Sequence, residues 1–308
     1  MIFAVIVPIF SLLALGYLSV KSQLLNKEQI HAIGAFVIKI SLPALFFQAL
    51  ASKDFHEIWF AEYFYVYTAV TFFLFLCSFG LMRKYYAQSL GHSAILSLGA
   101  GMSNTGLIGV AVLSLLLGQK AMTYTSLVVI IESVLLIPLV LVLIALDTQQ
   151  QTNIWGVIRN TFFTLLKNPL FMGVMLGIAC AIFKVHIPVY IDQILKLIGQ
   201  CASPLALFAI GGGIVGMTLK YLDRQCFYLV FSSNVVMPLL MYLGLSQLTS
   251  VSQEMVYVGT LIAALPMPSI FAMLGQTNGL TEKTLTSLLM STMVGFSIVA
   301  VLITLWWG

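Results

Sequence analysis

Leu98-Gly-Ala-Gly-Met-Ser-Asn-Thr-Gly-Leu-Ile-Gly109 is an apolar stretch interrupted at its centre by three polar residues set between glycines. Ser103, Asn104 and Thr105 favour helix caps over helix interiors, because their short side chains compete for the backbone's own hydrogen bonds. Gly101 and Gly106 permit backbone angles that other residues resist. The stretch therefore reads as a helix that stops and restarts in mid-span. A second interruption, Ala263-Ala-Leu-Pro-Met-Pro-Ser-Ile-Phe271, lies far down the chain. There Pro266 and Pro268 remove two backbone donors, and each clashes with a carbonyl one turn earlier. Pro268, between Met267 and Ser269, suits the first position of a new half-helix.

The surrounding composition decides the medium in which these breaks sit. Hydrophobic residues make up 60% of the 308 and charged residues only 8%, with a mean hydropathy of +1.05. A soluble chain of this size carries roughly a quarter charged residues, so this one must turn its outer surface to lipid. Apolar stretches recur over residues 2–20, 28–50, 58–82, 92–118, 121–146, 168–185, 189–217, 225–247, 254–275 and 281–307. Each is of the order needed to cross about 30 Å of hydrocarbon. The expectation is an all-α integral membrane protein with ten transmembrane helices. The first stretch lacks a basic flank and a small-residue cleavage site, so it reads as a retained helix.

The polar stretch 147–167, with Gln149-Gln-Gln151, Asn153 and Arg159, falls at the midpoint and reads as a linker between halves 1–146 and 168–308. Odd-numbered loops hold Lys21, Lys27, Arg83, Lys84, Arg159, Lys167, Lys220, Arg224 and Lys283, nine in all, against Lys53, Lys120, Lys184 and Lys196 in the even-numbered ones. The positive-inside bias places the odd loops and the linker in the cytoplasm and both termini outside. A net charge of +4, scattered singly or in pairs, suggests no nucleic-acid partner; the bilayer is the partner implied. Cys77, Cys180, Cys201 and Cys226 form no C-x-x-C pair and read as packing residues. His31, His56, His92 and His186 show no metal-ligand spacing, and there is no phosphate loop. No metal, cofactor or enzymatic constellation is expected.

The halves repeat at one offset. Pro8 and Pro169, Gly16 and Gly177, Pro43 and Pro204, and Gly118 and Gly279 are each 161 residues apart. A half of five helices forces its copy to enter from the opposite face, which makes the repeat an inverted one. The breaks fall in the fourth and ninth helices. Backbone unpaired within hydrocarbon is tolerated only where protein or a cavity covers it, so the two should face inward and approach each other. The restarting half-helices then offer free N–H groups and positive dipole ends to an anion. Ser103, Asn104, Thr105, Gly106, Pro266, Met267, Pro268 and Ser269 form the candidate site.

Ionisable residues within spans are costly, at about 2.5–3.5 kcal/mol on insertion scales. Glu132 is the deepest and is a candidate proton-coupling group, with a structural hydrogen-bonding role as the alternative. Lys39 either attracts an anion, pairs with Glu132, or extends to the interface. Its repeat partner is Gln200. Asn234 reads as an interhelical hydrogen bond or a ligand.

Leu42-Pro-Ala-Leu-Phe-Phe47, Ser103-Asn-Thr-Gly-Leu-Ile-Gly109, Asn168-Pro-Leu170, Gly199-Gln-Cys-Ala-Ser-Pro-Leu-Ala-Leu-Phe208 and Ala264-Leu-Pro266 together resemble the auxin efflux carrier family, which includes plant PIN proteins and bacterial malonate and malate carriers. The resemblance implies two inverted five-helix repeats with helices four and nine crossing at their breaks. It also implies that Asn104 and Pro266 lie at a substrate site. Val110-Ala-Val112 and Met267-Pro268 depart from the pattern of many members, which leaves the substrate open. The expected activity is secondary transport of a small organic anion, a dicarboxylate or an auxin-like carboxylate, by alternating access. A sodium-coupled symporter and a non-transporting sensor or assembly subunit are the alternatives. The expected location is the plasma membrane (the inner membrane of a bacterium), with a second copy of the chain as a candidate partner in a homodimer.

Overall fold

The computed structural model describes residues 2–51, 53–54, 58–147, 154–216 and 221–307, and every regular element among them is helical. His56, Gln149–Gln151, Asn153 and Lys220 lie outside the described residues. In chain order the helices are α1 (Ile2–Lys21), α2 (Lys27–Ala51) and α3 (Ala61–Lys84), then α4 in two pieces, α4a (Leu90–Gly101) and α4b (Val110–Leu117). Next come α5 (121–147), α6 (Ile154–Leu166), α7 (Pro169–Phe183), α8 (Val189–Gly213) and α9 (Arg224–Ser246). The chain ends with α10a (Gln253–Ala263), α10b (Ser269–Thr277) and α11 (Thr281–Trp307).

Six helical stretches among the described residues are long and apolar enough to cross a membrane, fewer than the ten expected. The physical reason lies in length and interruption. The turn at Gly118–Lys120 does not divide the apolar run 90–147, α7 has only 15 residues, and the break cuts α10 into pieces of 11 and 9. A second difference concerns the linker, which contains a helix, α6. Gly156, Asn160, Thr164 and Lys167 recur every three or four residues among apolar ones, an amphipathic pattern hidden when the stretch is weighed only by its polarity. It packs beside the end of α5 and the start of α7.

Caps account for several helix starts. Asn26 and Gln29 form a reciprocal capping box ahead of α2, and Ser89 and Ser252 cap α4a and α10a. Asn168 caps α7 with Pro169 in the first turn, where its missing N–H costs nothing. Gly118 and Gly279 end α4b and α10b at φ +60° and +77°, a backbone setting that favours glycine.

Asp223 caps α9 by accepting the Cys226 N–H at 2.8 Å, and it pairs with Lys283 at 2.9 Å. Burial raises its pKa, but the hydrogen bonds from Cys226 and Lys283 outweigh this and hold the carboxyl below its ordinary value. A depressed carboxylate stabilises the fold above its unfolded pKa, about 4, and loses that contribution as pH falls through the folded value. Asp223→Ala should therefore cost about 1 kcal/mol at neutral pH, with the gap to the parent protein closing in acid. Thermal unfolding of both proteins at pH 7 and pH 3 measures this.

Helices α2 and α8 run antiparallel: Ile30 meets Gly212, Gly34 meets Ala209, and Leu45 meets Gly199. Glycines let the backbones touch where α1 lies on α8 and α7 lies on α2. Gly16 abuts the Phe208 carbonyl, and Gly177 abuts Phe47. Adding 161 to Gly16 gives Gly177, and subtracting 161 from Phe208 gives Phe47, so the two contacts are the same contact with the halves exchanged. Helices α1, α2, α7 and α8 form one bundle, while α3, α4, α5, α9, α10 and α11 form a second against it.

Candidate functional site

Each break is a short run of non-helical backbone. Met102 takes φ −132°, ψ 139° after α4a, and Asn104 takes φ −84°, ψ 59° before a widened turn, Thr105–Gly109, leads into α4b. In the other break Pro268 adopts φ −73°, ψ 147° and serves as the cap of α10b, one place earlier than the first helical position expected for it. The two breaks meet: the Asn104 N–H donates to the Pro266 carbonyl at 2.8 Å. The Asn104 carbonyl accepts from Ile108 and Gly109, so its backbone is satisfied without water.

Side chains from neighbouring helices support each break. Behind the first, Tyr67 of α3 reaches Ser103 at 3.1 Å, Ser103 reaches Thr105 at 2.9 Å, and the Thr105 hydroxyl donates to Glu132 of α5 at 3.0 Å. Because Thr105 spends its single proton on the carboxylate, the chain runs as donors from Tyr67 to Glu132. Behind the second, Asn234 of α9 donates to the Ala264 and Leu265 carbonyls, each at 3.2 Å. Ser291 of α11 donates to Asn234 at 2.7 Å and accepts the Met267 N–H at 2.9 Å. Helices α3 and α5 thus serve α4, and α9 and α11 serve α10.

Lys39, Glu132 and Asn234 share a local cause. Each lies in a widened helical turn just before a proline, Pro43, Pro138 or Pro238. The N–H groups of Leu42, Ile137 and Met237 reach back five residues, to Val37, Glu132 and Ser232. Proline lacks a donor and crowds the preceding carbonyl, and such a bulge relieves the crowding.

In front of the breaks lies a cavity of about 410 Å³. Asn104 and Ser269 line it together, with the Asn104 amide donating to the Ser269 hydroxyl at 3.3 Å. Lys39 and His31 enter from α2, Thr292 from α11, and Leu107, Ile108 and Ile210 supply apolar wall. Lys39 stands midway along α2 and is exposed in the cavity. Among the expected residues the structure brings Asn104, Ser269 and Lys39 together here. Ser103, Thr105, Glu132, Asn234, Pro266, Met267 and Pro268 are buried behind the breaks. Gly106 faces Leu170 of α7, and Gln200 lines a different cavity. His31 and Thr292 were not singled out from the sequence. His31 precedes Lys39 by eight residues, about two helical turns, and that spacing was the available signal.

Glu132 is 3% exposed. Glu132→Ala would strand the buried Thr105 hydroxyl at a cost of about 1–3 kcal/mol, whereas Glu132→Gln retains an acceptor oxygen and should cost less. Unfolding midpoints of the two variants in detergent give the ordering.

An all-helical membrane chain whose broken helices meet beside a polar-floored cavity has the build of a membrane transporter. A family model described as membrane transport protein matches residues 1–306, and the chain belongs to this family, that of the auxin efflux carriers. It is 24% identical over 299 residues to a putative malonate transporter of Rhizobium meliloti (strain 1021), covering 96% of this chain and 92% of the relative. It is equally 24% identical over 304 residues to the uncharacterized transporter YfdV of Escherichia coli (strain K12), covering 96% and 94%. A lysosomal cholesterol signaling protein of Mus musculus is 25% identical over 253 residues, which are 78% of this chain and 29% of that protein.

Proposed function

We propose that this transporter is a secondary carrier of a small organic carboxylate, bound between Asn104, Ser269 and Lys39. The observation that carries the reading is the meeting of both helix breaks at a cavity with a lysine halfway through a membrane helix. Ser269 begins α10b, whose first N–H groups have no partner within the helix and suit an anion. Lys39 supplies a full positive charge, and the buried Asn104 amide and the exposed Ser269 hydroxyl supply direction. The name of the Rhizobium meliloti relative makes malonate the first substrate to try.

The proposal includes ten membrane helices in two inverted repeats, termini outside, residence in the plasma membrane, and alternating access by one bundle moving against the other. The exchanged contacts at Gly16 and Gly177 and the matched supports of the two breaks favour the repeat. Coupling to a proton gradient is assigned to Glu132, through its link to Thr105 beside Asn104. The test is uptake of labelled malonate and of related dicarboxylates into proteoliposomes, with and without an imposed pH gradient. Saturable uptake is expected, and Glu132→Gln should flatten its pH dependence. Absence of flux for every carboxylate under both conditions would overturn the proposal.

A further inference from the structure

A second cavity, of about 380 Å³, lies at the opposite end of the α2–α8 pair. The first cavity uses the beginning of α2 (Ile30 to Lys39) and the end of α8 (Ala209 to Ile214). The second uses the end of α2 (Leu45, Gln48) and the middle of α8 (Lys196 to Pro204), with Gln119 and Met122 beyond α4b. Because α2 and α8 are antiparallel, these are opposite ends of one helix pair. Leu42, Ala206 and Leu207 are buried within that pair and belong to the lining of neither cavity.

The offset of 161 relates the two cavities. Lys39 of the first corresponds to Gln200 of the second, and Ala209 of the first corresponds to Gln48. Each cavity is lined by one lysine. Lys39 serves the first, and Lys196, one helical turn before Gln200, serves the second. Lys196 is exposed, and no hydrogen bond or ion pair joins it to another described residue. Asp192, one turn earlier, lines an adjacent cleft and accepts a hydrogen bond from Gln48 at 2.9 Å, and Gln119 donates to Gln48 at 3.0 Å. Lys196 is the only ionised side chain among those lining the second cavity, whose other polar groups include Gln119, Gln200 and Ser203.

We infer that this second cavity is an anion-receiving vestibule on the membrane face opposite the first, with Lys196 as its attracting charge. It rests on the reading of the chain as an anion carrier, because it is the place through which the carboxylate reaches the other side. The repeat gives each vestibule a lysine on the homologous helix, shifted by one turn, so an anion meets a positive charge from either face.

The test uses a protein with its four cysteines replaced by serine, into which Gln200→Cys or, separately, Gly213→Cys is introduced. Gly213 lines the first cavity and has open space around it. Oriented vesicles are treated with membrane-impermeant methanethiosulfonates bearing either a sulfonate or a trimethylammonium group. The two positions should react from opposite faces. At position 200 the anionic reagent should outrun the cationic one by about threefold or more, as expected for one nearby charge in a wet site. Adding Lys196→Gln should bring that ratio close to that of the two reagents with a free thiol. An unreactive position 200, reaction from the same face as position 213, or a ratio insensitive to Lys196 would overturn the inference. Labelling needs no flux. Labelling as expected without carboxylate uptake would sink the transport reading alone, whereas uptake with failed labelling would sink the vestibule alone.

Discussion

Asn104→Ala is expected to lower carboxylate flux by about 10- to 100-fold while the protein remains folded. The backbone work of this residue survives the change, since the N–H to Pro266 and the carbonyl to Ile108 and Gly109 belong to any amino acid. What disappears is the amide that lines the cavity and donates to Ser269. Losing that internal bond costs about 0.5–1.5 kcal/mol of stability, whereas a bond to a charged ligand is worth about 1.5–3 kcal/mol. The larger figure corresponds to the upper part of the flux range, at about 1.4 kcal/mol per factor of ten. Initial uptake rates of labelled malonate, paired with gel-filtration profiles, separate the two effects. Parental rates in a well-folded variant would move the site away from the α4 break.

Gly16→Ala is expected to be a strongly damaging single methyl addition at the α1–α8 contact. A Cβ there would overlap the Phe208 carbonyl oxygen and crowd the Gly212 nitrogen. Both are backbone atoms that cannot swing aside, so the helices themselves must separate. Overpacking of this kind costs about 1–3 kcal/mol where side chains can adjust and more where they cannot, so a loss of about 3 kcal/mol or more is expected. At the position 161 residues on, Gly177→Ala brings a Cβ to 3.0 Å from the Leu50 side chain and 3.2 Å from the Phe47 backbone, and a smaller loss should follow. Gly80→Ala, inside α3 with nothing within 4 Å of the new atom, is the control and should cause no loss. Thermal unfolding in detergent should give that order, and equal midpoints for all three would show that the close approach carries no energy.

Much of the site was legible in the residues because its causes are local. Ser103-Asn-Thr105 between glycines, and Pro266 with Pro268, break helices wherever they occur, and both breaks are present. Prolines 43, 138 and 238 likewise widen the turns that hold Lys39, Glu132 and Asn234. Gly118 and Gly279 stand out at helix ends because a positive φ there admits few residues besides glycine. The helical character of 154–166 escaped because polarity was weighed there without period.

The sequence by itself determined the medium, the helical class, the transporter family and the two places where helices must break, since composition, period and proline act over a few residues. Only the tertiary structure decided which polar groups face the cavity. Asn104 and Thr105 are adjacent in the chain, yet one looks toward Ser269 and the other back toward Glu132. That choice depends on the angle at which α4 passes α5 and α10. It is set by packing between residues 27 and 165 positions apart, where no local pattern in the chain records it.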